Sequence, residues 1–212
     1  MSARVICMSR AISAGADEVA ALVAKELGFR CVDEEIIARA AERQKLEPAE
    51  VASVEKRKSF FARLLEDIGR SGDLVGYGGT YIPNPVAMPP RSDELRALIR
   101  EAILETAAQG SVVIVAHAAS YALGQRPDVL RAFIMGSPHV RATRLADHDG
   151  KAPAAAAEAI EQSDADRADY LKRFYDVDRE LPEHYDICVS TDLLTPAQAA
   201  AVIVGAARAI HA

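Results

Sequence analysis

Ser9 and Arg10, followed by Ile12-Ser13-Ala14-Gly15-Ala16-Asp17, join an apolar run at Val5 to Met8 to an amphipathic one that sets Val19, Leu22, Val23 and Leu27 on one face. That spacing reads as strand, turn and helix. Its chemistry is anion binding, because the first turn of a helix offers unpaired N–H groups and partial positive charge, and a turn whose amides point inward can cradle a phosphate. A fully equipped turn of this kind carries several glycines and a lysine for the β/γ-phosphates. Here Gly15 is the one glycine, and Asp17 stands near where positive charge is expected. Ser9, Arg10, Ser13, Ala14, Gly15, Ala16 and Asp17 are the candidate contacts for a bound phosphate. Arg10 suits either a fold over such a phosphate or a surface ion pair, and Gly15 suits a tight turn, a ligand contact or both.

Other residues could act beside that turn. Asp33 ends a second strand-like run, Phe29 to Asp33, at the edge where open α/β sheets bind ligands; the same aspartate could instead cap a helix starting at Glu34. His117 follows the apolar run Val112 to Val115 and can meet a phosphate when protonated, or sit partly buried. Arg141 and Arg144 are three apart and share a helical face, as do Asp164 and Arg167. These are candidates for holding phosphate charge, set against a plain solvated charge face. Tyr170, Phe174 and Tyr175 read as packing residues rather than a stacking platform. No metal-ligand spacing is evident, and Cys7, Cys31 and Cys188 lie scattered in or beside apolar runs, as buried thiols of a reducing compartment do.

The elements that must position these groups alternate as in a parallel sheet covered by helices. Val112 to Val115 and Ala132 to Met135 are unalternated apolar runs, expected of strands buried on both faces. Ser92 is a good N-cap, and Leu95, Leu98, Ile99, Ala102, Ile103 and Thr106 trace a helical face up to Gly110. Residues 138–146, 152–162 and 164–174 read as three helices, Asp186 to Ser190 as the last strand, and Thr195-Pro196 as the start of a final apolar helix reaching Ala209. Residues 47–70 read as charged helix with Phe60, Phe61, Leu64 and Leu65 as a buried stripe, and 71–90, rich in glycine and proline around Tyr77 and Tyr81, as a long loop.

With 212 residues, the chain most simply makes one α/β domain with a small appended segment. Its 25 basic and 31 acidic residues give a net charge of −6, which argues against a nucleic-acid partner. No apolar run reaches the length of a membrane span and the N-terminus lacks a signal-peptide core, so no membrane partner and a cytoplasmic location are expected. A homo-oligomer or a protein partner is left open.

Taken together, the segments resemble the cytidylate kinase-like family, relatives of the nucleoside monophosphate kinases, over nearly the whole chain. Ile6-Cys7-Met8-Ser9-Arg10 is similar to the family's "I-x-[IV]-S-R", and Glu26-Leu27-Gly28-Phe29 with Val32-Asp33-Glu34-Glu35-Ile36-Ile37 to its "LGI-x-(F)YD-K-E-[IL][IL]". Val112 to Ala119 stands in place of "V-I-V-G-R-G-A", Ser137 to Arg144 resembles "S-x-E-x-R-x-x-R", and Asp164 to Tyr170 resembles "D-K-x-R-A-x-Y". Arg173 to Asp178 and Tyr185 to Thr191 complete the order. The resemblance implies a P-loop fold, a parallel sheet of about five strands flanked by helices over 1–212, with a helical acceptor segment near 47–90 and a lid near 138–175. It further implies ATP with Mg²⁺ as phosphoryl donor and a CMP-type nucleotide as acceptor. Residues 9 to 17 would then face the donor phosphates, Asp33 and His117 the acceptor, and Arg141, Arg144, Arg167 and Asp164 the lid's catalytic positions.

The departures carry as much chemistry as the matches. Where the family turn reads "Y-G-S-G-G-R-E", this chain has Ile12-Ser13-Ala14-Gly15-Ala16-Asp17-Glu18. Where "G-R-G" supplies an acceptor-phosphate arginine, it has Ala116-His117-Ala118, and an arginine four residues before the lid aspartate is replaced by Ile160. Phosphoryl transfer relies on positioning and positive charge. Each lost contact is worth ~1.5–3 kcal/mol, so three together weaken phosphate binding by on the order of several thousandfold. Two functions follow: an ATP-dependent nucleoside monophosphate kinase, or a catalytically silent relative that binds a nucleotide weakly or works through a protein partner.

Overall fold

The computed structural model describes residues 3–33, 93–116 and 118–210. The helix expected from Glu34, the charged segment 47–70, the glycine- and proline-rich stretch 71–90, the Ser92 cap and His117 lie outside the described residues.

Strand β1, Val5–Arg10, has no polar alternation because both its faces are covered. Val5 and Cys7 enter one core with Val32, Ile114, Ala102 and Ile103. Ile6 and Met8 enter the other with Val19, Val23, Ile203 and Val204. Helix α1, Ala16–Leu27, buries Val19, Ala20, Val23 and Ala24 and stops at left-handed Gly28. There the amide of Phe29 bonds to Ala24 O at 2.8 Å, closing the last turn. The chain then forms β2 (Arg30–Asp33), α2 (Asp93–Gln109), β3 (Val112–Val115), α3 (Ala119–Leu123), β4 (Val129–Met135), α4 (Pro138–Asp149), α5 (Pro153–Tyr175), β5 (Ile187–Ser190) and α6 (Pro196–Ala209).

The five described strands form one sheet in the order β2-β3-β1-β4-β5, and every pairing is parallel. Helices α1 and α6 cover one face, and α2 and α3 the other. This is the expected five-strand parallel sheet flanked by helices. Strand β1 is central, and its last residue Arg10 pairs in register with Ile134, while Asp33 of β2 pairs with Val115. The turn after β1 therefore lies at the carboxyl edge of the middle strand, the ligand edge of such sheets.

Two helix starts follow sequence chemistry closely. Ser137 caps α4 by accepting from Val140 N, ahead of Pro138. Thr195 and Gln198 form a reciprocal capping box on α6. Two expectations are corrected. Residues 152–162 and 164–174 belong to one 23-residue helix, α5, rather than two. Nor are all three thiols buried: Cys7 is, Cys31 is half-buried and Cys188 is exposed, on β5, which among the described residues pairs only with β4.

Helices α4 and α5 pack on each other through Leu145, Ala156 and Ile160, and Ile12 from the β1–α1 turn packs against that cluster. The turn and this helical pair thus share an apolar contact. Among the described residues, no helix is long and apolar enough to cross a membrane.

Candidate phosphate-binding site

The turn between β1 and α1 is shaped by two left-handed residues, Ser13 at φ 58° and Gly15 at φ 76°. Gly15 adopts this conformation without steric cost, whereas Ser13 is held there against its preference. What holds it is visible on the carbonyl side. Arg167 Nη1 donates to Arg10 O at 3.4 Å and Arg141 Nη1 to Ile12 O at 3.5 Å. Ala14 N donates to Ala11 O at 3.2 Å, and the Thr191 hydroxyl donates to Ala14 O at 2.9 Å. The amides of Ser13, Gly15, Ala16 and Asp17 meet no acceptor among the described residues. Carbonyls are engaged from behind while amides are left available, at the N-terminus of a 12-residue helix. That is the donor arrangement an oxyanion requires.

Positive charge at the turn is locally cancelled. Arg10 Nη1 donates to Asp17 Oδ1, with the two side chains 31% and 67% exposed. Asp17 thus faces Arg10 as its ion-pair partner, and Arg10 is held along the turn.

Arg141, Arg144 and Arg167 are not a solvated charge face. Arg141 is buried; it donates through Nε to Gly136 O at 2.9 Å and through Nη1 and Nη2 to both oxygens of Asp164 at 3.0 and 2.5 Å. Arg144 donates through Nη1 to Thr191 Oγ1 at 2.9 Å and through Nη2 to Thr191 O. Arg167 lies over the Phe133 ring at 5.4 Å. It donates to both oxygens of Glu180 at 2.9 and 2.6 Å and to the Tyr185 hydroxyl at 3.3 Å. The equal spacing of Asp164 and Arg167 along α5 does not pair them: each reaches a different element.

Burial pushes the Glu180 carboxyl upward, but the Arg167 guanidinium and the Tyr185 hydroxyl outweigh it and hold Glu180 below the usual carboxylate range. Tyr185, which donates to Glu180 and stacks on Phe133 at 5.0 Å, has its phenol pushed up, chiefly by burial. Tyr121 joins the group, with its hydroxyl 3.0 Å from His184 Nδ1.

Ser9 does not belong to the mouth of the turn. It is fully buried, 3.3 Å from Ser120 Oγ of α3 and 3.5 Å from Ala116 O just past β3, between the sheet and α3. Asp33 ends β2 half-buried at the ligand edge. Tyr170 lies against Phe174 at 4.9 Å between ring centres and Tyr175 against Tyr121 at 5.6 Å, as packing residues do. Glu180, Tyr185 and Thr191 were not among the candidates from sequence. Only Tyr185 and Thr191 carried a signal, as the ends of the motif Tyr185 to Thr191.

A protein-family model, the cytidylate kinase-like family, matches residues 5–193, from the first strand of the sheet to just beyond Thr191. The chain belongs to the cytidylate kinase-like family. No curated protein matches it. Among solved structures, this cytidylate kinase-like chain is similar to an uncharacterized protein from Eubacterium ventriosum ATCC 27560. The two share 18% identity, with 95% of this chain and 96% of that one covered, at a TM-score of 0.66. It is also similar to TT1252 from Thermus thermophilus, at 15% identity, full coverage of both chains and a TM-score of 0.50. A shikimate kinase from Bacteroides thetaiotaomicron aligns at 16% identity over 95% of this chain and 94% of that one, with a TM-score of 0.46. The fold is thereby shared with the first two of these chains, which have little sequence in common with this one.

Proposed function

We propose that this cytidylate kinase-like protein binds Mg·ATP at the β1–α1 turn and transfers its terminal phosphoryl group to a nucleoside monophosphate of the CMP type. One observation carries the reading: four successive-region amides, Ser13, Gly15, Ala16 and Asp17, lack acceptors among the described residues while the turn's carbonyls are tied down. Backbone donors compensate for the missing lysine, since an amide bonded to a phosphate oxygen is a charge-assisted contact. These residues fit a phosphate. Among the described residues no cluster of acidic, histidine or cysteine side chains could hold a metal by itself, so Mg²⁺ would arrive with the nucleotide and supply charge neutralisation there. Arg141 and Arg167 reach the turn's carbonyls and Arg144 reaches it through Thr191, Asp164 holds Arg141, and Asp33 and His117 are assigned to the acceptor side. The whole chain is read as one such domain, with 47–90 on the acceptor side and 138–175 as its lid, in the cytoplasm.

A second reading is favoured by a specific feature. Arg10, Arg141 and Arg167 each face a carboxylate, Asp17, Asp164 and Glu180, which removes net attraction for a polyanion and suits a silent nucleotide-binding relative with a protein partner. Two measurements separate the readings. Isothermal titration with Mg·ATP is expected to give micromolar binding, and a coupled assay with CMP or dCMP to give turnover. Binding without turnover selects the silent relative, and flat heats at millimolar Mg·ATP reject both nucleotide readings.

A further inference from the structure

Thr191 lies just past β5, and its side chain joins the turn, through Ala14 O, to Arg144 of α4. It is buried, 2% exposed. Its amide donates to Met135 O at 2.9 Å, which fixes its backbone to the end of β4. Its carbonyl and its hydroxyl oxygen both accept from the Arg144 guanidinium. A hydroxyl has a single proton to give. With Arg144 donating into Oγ1, that proton is left for Ala14 O at 2.9 Å or Met135 O at 3.2 Å. Met135 O already holds the Thr191 amide, and Ala14 O has no other donor among the described residues.

The consequence is directional. The chain has no cis peptide bond among its described residues, and in a planar trans peptide the C=O and N–H point opposite ways. Pinning Ala14 O towards Thr191 therefore turns the Gly15 N–H away from Thr191, to the open side of the turn. A Cβ placed on Gly15 would meet nothing within 4 Å, so the Gly15 Cα itself borders open space. Left-handed backbone at Gly15 makes the neighbouring peptide easy to flip, since glycine populates both signs of φ with similar ease. A device that selects one orientation is needed wherever an amide must be ready for an anion before it arrives, because preorganised dipoles need no reorganisation on binding.

We propose that Thr191 is the positioning residue of the turn: its hydroxyl, held by Arg144, orients the Ala14–Gly15 peptide so that the Gly15 amide is presented to a phosphate. On this assignment Arg144 acts through Thr191 on the back of the turn and touches no ligand. The inference rests on the phosphate role proposed above, but its geometry can be tested without a nucleotide.

The test compares wild type with Thr191→Val, which keeps the shape and removes the hydroxyl, Thr191→Ser, which keeps the hydroxyl, and Arg144→Gln, which releases it. In isotope-labelled protein without ligand, the ¹³C resonance of the Ala14 carbonyl and the ¹H–¹⁵N pair of Gly15 are expected to move in Thr191→Val, to stay near wild type in Thr191→Ser, and to move the same way by less in Arg144→Gln. Titration with Mg·ATP is expected to show affinity weakened about tenfold in Thr191→Val, the scale of one charge-assisted contact, and restored in Thr191→Ser. Unmoved Ala14 and Gly15 resonances in Thr191→Val and Arg144→Gln overturn the assignment, as do equal losses in the valine and serine variants. A lower melting temperature in Thr191→Val with unchanged resonances makes the residue a structural stitch only and overturns it too. If wild type itself ignores Mg·ATP, the nucleotide reading fails, and the ligand-free Ala14 and Gly15 resonances still decide the role of Thr191.

Discussion

Arg141 of α4 and Asp164 of α5 form a two-pronged ion pair at 3.0 and 2.5 Å, and the guanidinium that makes it is buried while the carboxylate is 42% exposed. Removing the charge of Asp164 leaves a buried guanidinium with only neutral acceptors, one amide oxygen at position 164, Gly136 O and a distant Ile12 O. Asp164→Asn is therefore expected to destabilise the fold by about 1–2 kcal/mol, the lower part of the range for such a loss because the carboxylate is partly solvated. Urea unfolding followed by circular dichroism measures it, and an unchanged midpoint would show that the pair contributes nothing.

Asp17 neutralises Arg10 at the open end of the turn. Asp17→Asn removes a like charge from the path of a polyanion and frees Arg10 to swing towards it. Affinity for Mg·ATP is expected to improve by about 3–10-fold at low salt, and the gain to shrink as added salt screens exposed charges. Titration calorimetry at two salt concentrations checks both parts.

Glu180 titrates below its ordinary value of 4.5, with burial opposing and Arg167 prevailing. A carboxyl depressed in the folded state binds fewer protons there than in the unfolded chain, so its contribution is complete above about pH 4.5 and disappears as pH falls through the lower folded value. Glu180→Gln is expected to lower unfolding free energy by about 2 kcal/mol at pH 7, with the gap to wild type closing on acidification. Denaturation curves at a series of pH values between neutrality and acid give the comparison, and a gap that stays constant with pH would place the effect elsewhere.

Ile160 is 1% exposed, in the cluster that receives Ile12 from the turn. Ile160→Ala is expected to cost about 2–4 kcal/mol through lost contact and the cavity it leaves. Because Ile12 loses part of its seat, hydrogen exchange at the turn amides is expected to quicken along with the fall in melting temperature. Faster exchange confined to α4 and α5 would argue that the turn does not depend on them.

The thiols differ in access. Burial pushes Cys31 up to about 12, with Asp33 and Asp17 adding to it, and pushes Cys7 higher still, whereas Cys188 is exposed. One thiol, Cys188, is expected to react first with an aromatic disulfide reagent under native conditions, and all three in denaturant. Cys188→Ser removes that first phase.

Much of the scaffold could be read from the chain because local and global signals agree. The unalternated runs at Val5 to Met8 and Val112 to Val115 are buried on both sides, and Thr195 with Gln198 starts α6 where capping chemistry places it. The break expected at Gln162-Ser163-Asp164 does not occur, because Asp164 is drawn into the contact with Arg141 and α5 runs on. Tertiary contact there overrides a weak local preference. Charge pairing was the least legible part of the site. Spacing set Arg141 and Arg144 on one face, but their partners Asp164 and Thr191 are far along the chain, and only the packing of α4 against α5 and β5 brings them within reach. The turn itself looked eroded by its side chains, while its remaining donors are backbone amides that every residue but proline carries.

The most direct test follows the turn amides themselves as Mg·ATP is added to ¹⁵N-labelled protein. Saturable shifts at Ser13, Gly15, Ala16 and Asp17, exceeding those of the α2 amides on the opposite face of the sheet, are the predicted result. Turn resonances that stay fixed at millimolar Mg·ATP, or that move no more than the rest of the chain, would contradict it.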